Sequence, residues 1–258
     1  MHVHELFNLK GKKALVTGGG RGLGEQIAHA LAEAGADVIV CSRKVENCEE
    51  VAREIREATG QEAHALALDV TNPESVKEAT AQALELFGQI DILVNNAGVS
   101  WGAKFFDMPL DKWNQVMNVN ATGAFLMTQA LAQGMIARKS GRIVNVASIA
   151  GLLGTDPTVM HAVGYHASKG ALIAMTRDLA VKFARSGVTV NAIAPGFFPS
   201  KMTEALLSFG GKKILEGVPM KRFGNDHDLK GLAVYLASDA SAYMTGQVLV
   251  LDGGSSAM

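Results

Sequence analysis

A chain of 258 residues, 48% hydrophobic and 19% charged with a formal net charge of −1, can bury one large core and lacks the composition of a disordered tract. That balance leaves no electrostatic footprint for nucleic acid or an anionic membrane surface, and no apolar run reaches the ~18 residues of a membrane span. Cys41 and Cys48, the only cysteines, form no zinc framework and point to a reducing compartment, the cytoplasm. The opening MHVHELFNLKGKK lacks an apolar signal core, and His2 and His4 read as solvated side chains, so no metal is expected.

The stretch from 12 to 35 predicts a buried strand, a glycine-rich turn and a helix. Ala14, Leu15 and Val16 are apolar, the run stops at Thr17-Gly18, and Gly18, Gly22 and Gly24 follow with the spacing G-x-x-x-G-x-G. Such a turn lets the backbone approach a pyrophosphate, which the helix's N–H groups and positive dipole end attract. Strands are then expected at 36–42, 63–70, 91–98, 142–148, 188–194 and 247–254. Helices are expected at 45–59, 73–87, 110–139 with a break near Asn118, 164–185 and 226–238. Strands apolar throughout belong to a parallel sheet covered on both faces, and right-handed crossovers make it one doubly wound α/β domain with ligands at the strands' carboxyl ends. Residues 197–224 break this rhythm and are expected to form a lid.

Tyr165 and Lys169 stand four apart, so on a helix the ammonium lies near the phenol and favours the phenolate. Ser148 closes the fifth strand and Tyr165 opens the next helix, which brings both hydroxyls to one crevice.

TGGGRGLG at 17–24, Asp69-Val70, NNAG at 95–98, Asn120, Ser148, YHASK at 165–169 and PGFFPSKMT at 195–203 together resemble the short-chain dehydrogenase/reductase family along nearly the whole chain. The resemblance implies a Rossmann-like sheet and a homotetramer. It also implies that Tyr165 is the general acid/base, that Ser148 orients the carbonyl or alcohol, and that Lys169 holds the nicotinamide ribose and lowers the tyrosine's pKa. Asn120 would complete a proton relay through water. Gly18, Gly20, Arg21, Gly22, Leu23 and Gly24 would cradle the cofactor and Asp69 and Val70 would meet the adenine. Asn96, Ala97 and Gly98 would line the cofactor, with Pro195, Gly196, Phe198 and Ser200 near the carboxamide and phosphates. Thr17 and Asn95 either tie strand ends together or touch ligand. Sixteen residues separate Ser148 from Tyr165, longer than is usual in the family, which brings Met160 and His161 to the pocket.

Ser42 holds the place where an acidic residue would select NAD, and Arg43 and Arg21 can pair with a 2′-phosphate, so NADP(H) is the expected cofactor. Residues 197–224 carry five cations against two anions, either a solvated surface or, if the charge faces the pocket mouth, an attraction for the phosphates of coenzyme A, an acidic carrier protein or a sugar-acid carboxylate. Phe105, Phe106, Phe197, Phe198, Leu206, Leu207 and Phe209 are expected to wall the crevice. That wall suits the acyl chain of a 3-oxoacyl thioester, with reduction as the cellular direction. The opening LFNLKGKKALVTGGGRGLG looks as much like gluconate 5-dehydrogenases. A catalytically silent nucleotide-sensing module is a further alternative, opposed by the intact Ser148, Tyr165 and Lys169.

Overall fold

Seven parallel strands form one sheet in the order β3-β2-β1-β4-β5-β6-β7. The computed structural model describes residues 2–201 and 203–258. The side chains of Ala205, Leu206 and Phe209 lie outside what is described, and with them the places expected for Leu206 and Phe209. The strands are β1 (Lys13–Thr17), β2 (Asp37–Ser42), β3 (Ala63–Ala67), β4 (Ile92–Asn95), β5 (Gly141–Val146), β6 (Val188–Pro195) and β7 (Val248–Leu251). The chain enters at β1, winds outward to β3 and restarts at β4 on the other side, so the switch point lies between β1 and β4. There the two flanking crossovers diverge and leave a crevice at the carboxyl ends.

A four-residue α1 (Val3–Leu6) precedes the sheet. On one face α2 (Gly22–Glu33), α3 (Val45–Thr59) and α9 (Lys230–Ala237) pack Ile27, Leu31, Val51, Ile55 and Leu236 against Val16, Val38, Val40 and Val94. On the other, α4 (Pro73–Phe87) and α6 (Gly123–Arg138) pack Val76, Met127, Leu131 and Met135 against Leu15, Ile39, Leu93 and Ile143. Alternate residues of one strand therefore face opposite helix layers, and each fully buried Leu or Ile contributes about 1.5–3 kcal/mol. α7 (Val163–Phe183) lies along β6 and beside α5 (Leu110–Met117).

Local signals account for the element ends. Pro73 occupies the first turn of α4, and the Asn72 side chain accepts from Glu74 N at 3.0 Å. α3 stops at Gly60 with φ 71°. The break expected near Asn118 is a π-helical segment, Asn118–Thr122, joining α5 to α6. Strands β3, β4 and β5 end two or three residues earlier than expected, because Asp69, Val70, the second half of NNAG and Ser148 lie beyond the ladder, in the loops at the crevice. The last helix begins at Lys230 rather than 226, since residues 225–228 form a turn closed on Asp228 and Asn225. Residues 197–224 contain a helix, α8 (Glu204–Glu216). Its paired Gly210-Gly211, poor helix formers, conceal it in the sequence. Among the described residues no helix is long and apolar enough to cross a membrane. Cys41 and Cys48 are free and buried.

Candidate active site

Tyr165 lies in the first turn of α7 and Lys169 one turn later, as their spacing requires. Ser148 sits just past β5 and caps a short turn, accepting from Ala150 N at 3.1 Å, and it also hydrogen-bonds Tyr165. Lys169 is 4% exposed. Its Nζ donates to Val146 O at 2.6 Å and stands 5.6 Å from the Tyr165 ring centroid. Burial lowers Lys169 to about 8. Burial also pushes the Tyr165 phenol up, against the bond with Ser148 that favours the phenolate. The expected lowering of Tyr165 by Lys169 is therefore corrected: the ammonium is turned toward a strand carbonyl, and desolvation dominates.

Asn120 is fully enclosed in the π-helical segment. Its Oδ1 accepts from Val99 N at 2.8 Å, while Nδ2 donates to Val99 O and to Ser168 Oγ, both at 2.9 Å. Ser168 in turn donates to Tyr165 O at 2.8 Å. The Asn120 side chain thus ties the loop after β4 to the catalytic helix. Ser168's part in this was not legible beforehand, since a serine inside a helix carries no local signal. A side chain built on Gly98 would approach Asn120 Oδ1 at 3.4 Å and Lys169 Nζ at 3.6 Å, which places the NNAG backbone between the two.

The glycine turn is packed from all sides. Gly18 has φ 65°, and a Cβ on Gly24 would lie 2.4 Å from both Gly18 O and Asn96 Nδ2. Asn96 Nδ2 donates to Thr17 O at 2.9 Å and Gly18 O at 3.1 Å. Thr17 Oγ1 accepts from Asn96 N and Ala97 N, both at 3.0 Å, and Asn95 bonds Thr128 and Asn145, so Thr17 and Asn95 tie strand ends together. Not every N–H of the turn is open to a ligand: Gly18 N donates to Cys41 O and Gly22 N to Glu25 Oε2. Gly20 rests on Cys48 and Asn47 at the start of α3.

The cradle fits an anionic dinucleotide. Ser42, at the end of β2, donates to Lys44 O at 2.7 Å and brings no carboxylate there. Arg21 and Arg43 are exposed and form no ion pair among the described residues. Asp69 is raised by burial, but two bonds from Thr71, with the charge of Arg43 nearby, outweigh this and hold its carboxyl below the ordinary value. Val70 is pinned against Gly123, where a Cβ would come within 2.6 Å of it. Ser200 lies over the turn, 3.7 Å from a Cβ built on Gly22. Phe198 is a correction: its ring is buried at 4% in the core beneath Gly224, so its side chain does not reach the crevice.

Beside Ser148 and Tyr165 opens a cavity of ≈ 700 Å³. Ile149, Leu153, Val159, Met160, Phe197 and Ile214 give it apolar walls, with Thr155, Asp156, His161 and Lys213 among them. The expected aromatic wall is also corrected. Phe105 and Phe106 are 69% and 95% exposed on a short turn outside the lining, and Leu207 lies outside it too. The positive charge of 197–224 is largely engaged: Lys221 donates to Glu216 O, Arg222 pairs with Asp228, and Lys213 bonds Thr158. Of the five cations Lys213 alone lines the cavity among the described residues. Away from the crevice, Glu25, His29 and Glu54 bring three possible ligand atoms within 4.8 Å, with His29 paired to Glu54 and Glu25 to Gly22 N.

A family model described as enoyl-(acyl carrier protein) reductase matches residues 18–256. The chain is 39% identical over 248 residues to the 3-oxoacyl-(acyl-carrier-protein) reductase of Aquifex aeolicus, covering 96% of this chain and 98% of that one. It is 40% identical over 255 residues to the 2-dehydro-3-deoxy-D-gluconate 5-dehydrogenase of Bacillus subtilis, covering 98% of each. The crystal structure of a gluconate 5-dehydrogenase from Burkholderia cenocepacia in complex with NADP and tartrate superimposes with a TM-score of 0.94 at 36% identity, over 100% of both chains.

Proposed function

This chain belongs to the short-chain dehydrogenase/reductase family, and from that premise we propose that it reduces 3-oxoacyl thioesters with NADPH. The observation that carries the substrate class is the cavity beside Ser148 and Tyr165, whose apolar walls Ile149, Leu153, Val159, Met160 and Ile214 suit an acyl chain. The name of the Aquifex aeolicus relative supports the same class.

In this reading the nicotinamide supplies the hydride to the carbonyl carbon. Tyr165 gives its proton to the carbonyl oxygen, and Ser148 donates a hydrogen bond to the same oxygen. Burial pushes the Tyr165 phenol up, toward the protonated form a general acid needs. Lys169 holds the nicotinamide ribose, and Asn120 braces the segment through which the tyrosine is reprotonated. Gly18, Gly20, Gly22, Leu23 and Gly24 cradle the pyrophosphate beneath Ser200, while Asp69 and Val70 meet the adenine. Asn96, Ala97, Gly98, Pro195 and Gly196 line the nicotinamide side by their backbone. Arg21 and Arg43 select the 2′-phosphate. Residues 197–224, with α8, act as the lid. A cytoplasmic homotetramer completes the reading, and sedimentation tests the assembly.

A second reading, a sugar-acid oxidoreductase, is favoured by the polar Thr155, Asp156, His161 and Lys213 in the cavity and by the names of two similar proteins. The deciding experiment compares NADPH-dependent reduction of acetoacetyl-CoA and longer 3-oxoacyl thioesters with that of 5-ketogluconate. Thioesters should be turned over with the higher kcat/KM, and faster turnover of 5-ketogluconate would replace the first reading by the second.

A further inference from the structure

The long segment between Ser148 and Tyr165 is held on three sides. His166 follows Tyr165 in the chain and spends both ring nitrogens on this segment: Nδ1 lies 3.0 Å from Ala162 O and Nε2 2.8 Å from Thr155 Oγ1. A carbonyl only accepts, so Nδ1 carries the hydrogen and Nε2 of the neutral ring accepts from the Thr155 hydroxyl. Ala103 N donates to His161 O at 2.8 Å. On the third side Lys213 of α8 donates to Thr158 Oγ1, and the Asp156 carboxylate, which accepts from Thr158 N at 2.8 Å, faces the same ammonium. Thr155, Asp156, Lys213 and Ile214 all line the cavity, so this last contact ties its loop wall to its helix wall.

We propose that residues 154–162 are a specificity loop clipped near both ends by His166, a positioning residue on α7, and at its middle by Lys213, a specificity-determining residue on the proposed lid. The Lys213 clip limits how long a chain the cavity accepts beyond the reacting carbonyl. A chain that outgrows the tied cavity must part the walls, and parting them breaks the contact between Lys213 and Thr158.

The chain-length arm rests on the thioester reading and uses a homologous series of 3-oxoacyl-CoA substrates with NADPH. In Lys213→Ala and in Thr158→Val the ratio of kcat/KM for long over short chains should rise about threefold, the scale of one exposed polar contact. The double variant should rise no further, and the KM for NADPH should stay constant. His166→Asn keeps the donor to Ala162 O but loses Thr155, so KM should rise at every chain length with kcat held. Thr155→Ser, which keeps the hydroxyl, should match the wild type. An unchanged ratio overturns the proposal. So does a rise in KM at all lengths in Lys213→Ala but not in Thr158→Val, which would make Lys213 a grip for a substrate anion. If the wild type reduces no thioester, the substrate reading fails by itself. The clip is then judged by amide hydrogen exchange in 204–216, which should quicken severalfold in both single variants; unchanged exchange overturns it.

Discussion

At the carboxyl ends of β1 and β4 the side chains of Thr17 and Asn96 are answered by backbone of the neighbouring strand and turn, whereas the cavity wall is joined by side chains from a loop and a helix distant in sequence. Thr17, Asn96 and Gly24 are so tightly fitted that a single methyl group has no room. Thr158 and Lys213 meet at the surface, through a contact that solvent reaches, and Thr155 meets His166 in a part-buried one. A site built in this way can hold one ligand by rigid fit and vary the other by loop substitution. The largest test of that division lies on the catalytic helix. Tyr165→Phe removes one oxygen and keeps the ring's packing, so turnover should fall by about 10²–10⁴-fold while NADPH binding persists. Retained turnover would remove Tyr165 from the chemistry, and lost cofactor binding would show that the two regions are not separable.

The rigid half makes a stricter prediction. In Gly24→Ala the new methyl would stand 2.4 Å from Gly18 O and Asn96 Nδ2, so the turn must open or the strand ends must part. Overpacking of this kind costs about 1–3 kcal/mol, and the Kd for NADPH should weaken roughly tenfold or more, together with a lower Tm. An unchanged Kd would mean that the turn yields freely. Cofactor choice sits at the edge of the same half. Ser42→Asp places a carboxylate between Arg43 and the site expected for a 2′-phosphate. The NADPH-to-NADH ratio of kcat/KM should then fall about tenfold, from the loss of a charge-assisted bond. A wild type that uses NADH as well as NADPH would sink the assignment of Arg21 and Arg43.

The same contrast explains what the sequence made legible. Apolar strands alternating with helices, the helical spacing at 45–59, Pro73 and the glycine turn are local signals, and they placed the sheet, α3, α4 and the crevice. Tyr165, Lys169 and Ser148 were legible as one cluster because the first two share a helix face and the third ends a strand, and the resemblance to the family supplied the roles proposed for them. Burial was not legible, and it reverses the expected direction of the Tyr165 shift. Nor was the direction of an aromatic side chain after a strand: Phe198 turns into the core through the space left by Gly224, and Phe105 and Phe106 face solvent on their own turn. The clip between Lys213 and Thr158 joins residues fifty-five apart, a pairing that no local pattern encodes. Net charge over residues 197–224 is a poor guide to the charge the cavity meets for a related reason, since charge counted along a chain ignores the partners that folding supplies.

Lys169 is where the two halves meet, and it carries the smallest prediction. It rises from α7, donates to Val146 O at the carboxyl end of β5, and burial lowers it to about 8. Below that pH it is an ammonium facing the proposed ribose site, and above it a neutral amine. Binding of an anionic cofactor prefers the ammonium, so bound cofactor raises this pKa, and affinity must decline as pH climbs through the value of the free protein. The difference between a charged and a neutral donor is about 1 kcal/mol, so the full rise in the Kd for NADPH should be about fivefold, setting in near pH 8, with about threefold of it between pH 7 and pH 9. Tyr165 and Cys48 are both shifted upward, away from this window, and do not produce the same limb. Titration of intrinsic or nicotinamide fluorescence at constant ionic strength measures the effect, and Lys169→Met should bind more weakly with a flat profile. A limb that survives in that variant belongs to another group, and a flat profile in the wild type would mean that the cofactor does not sense the charge of Lys169.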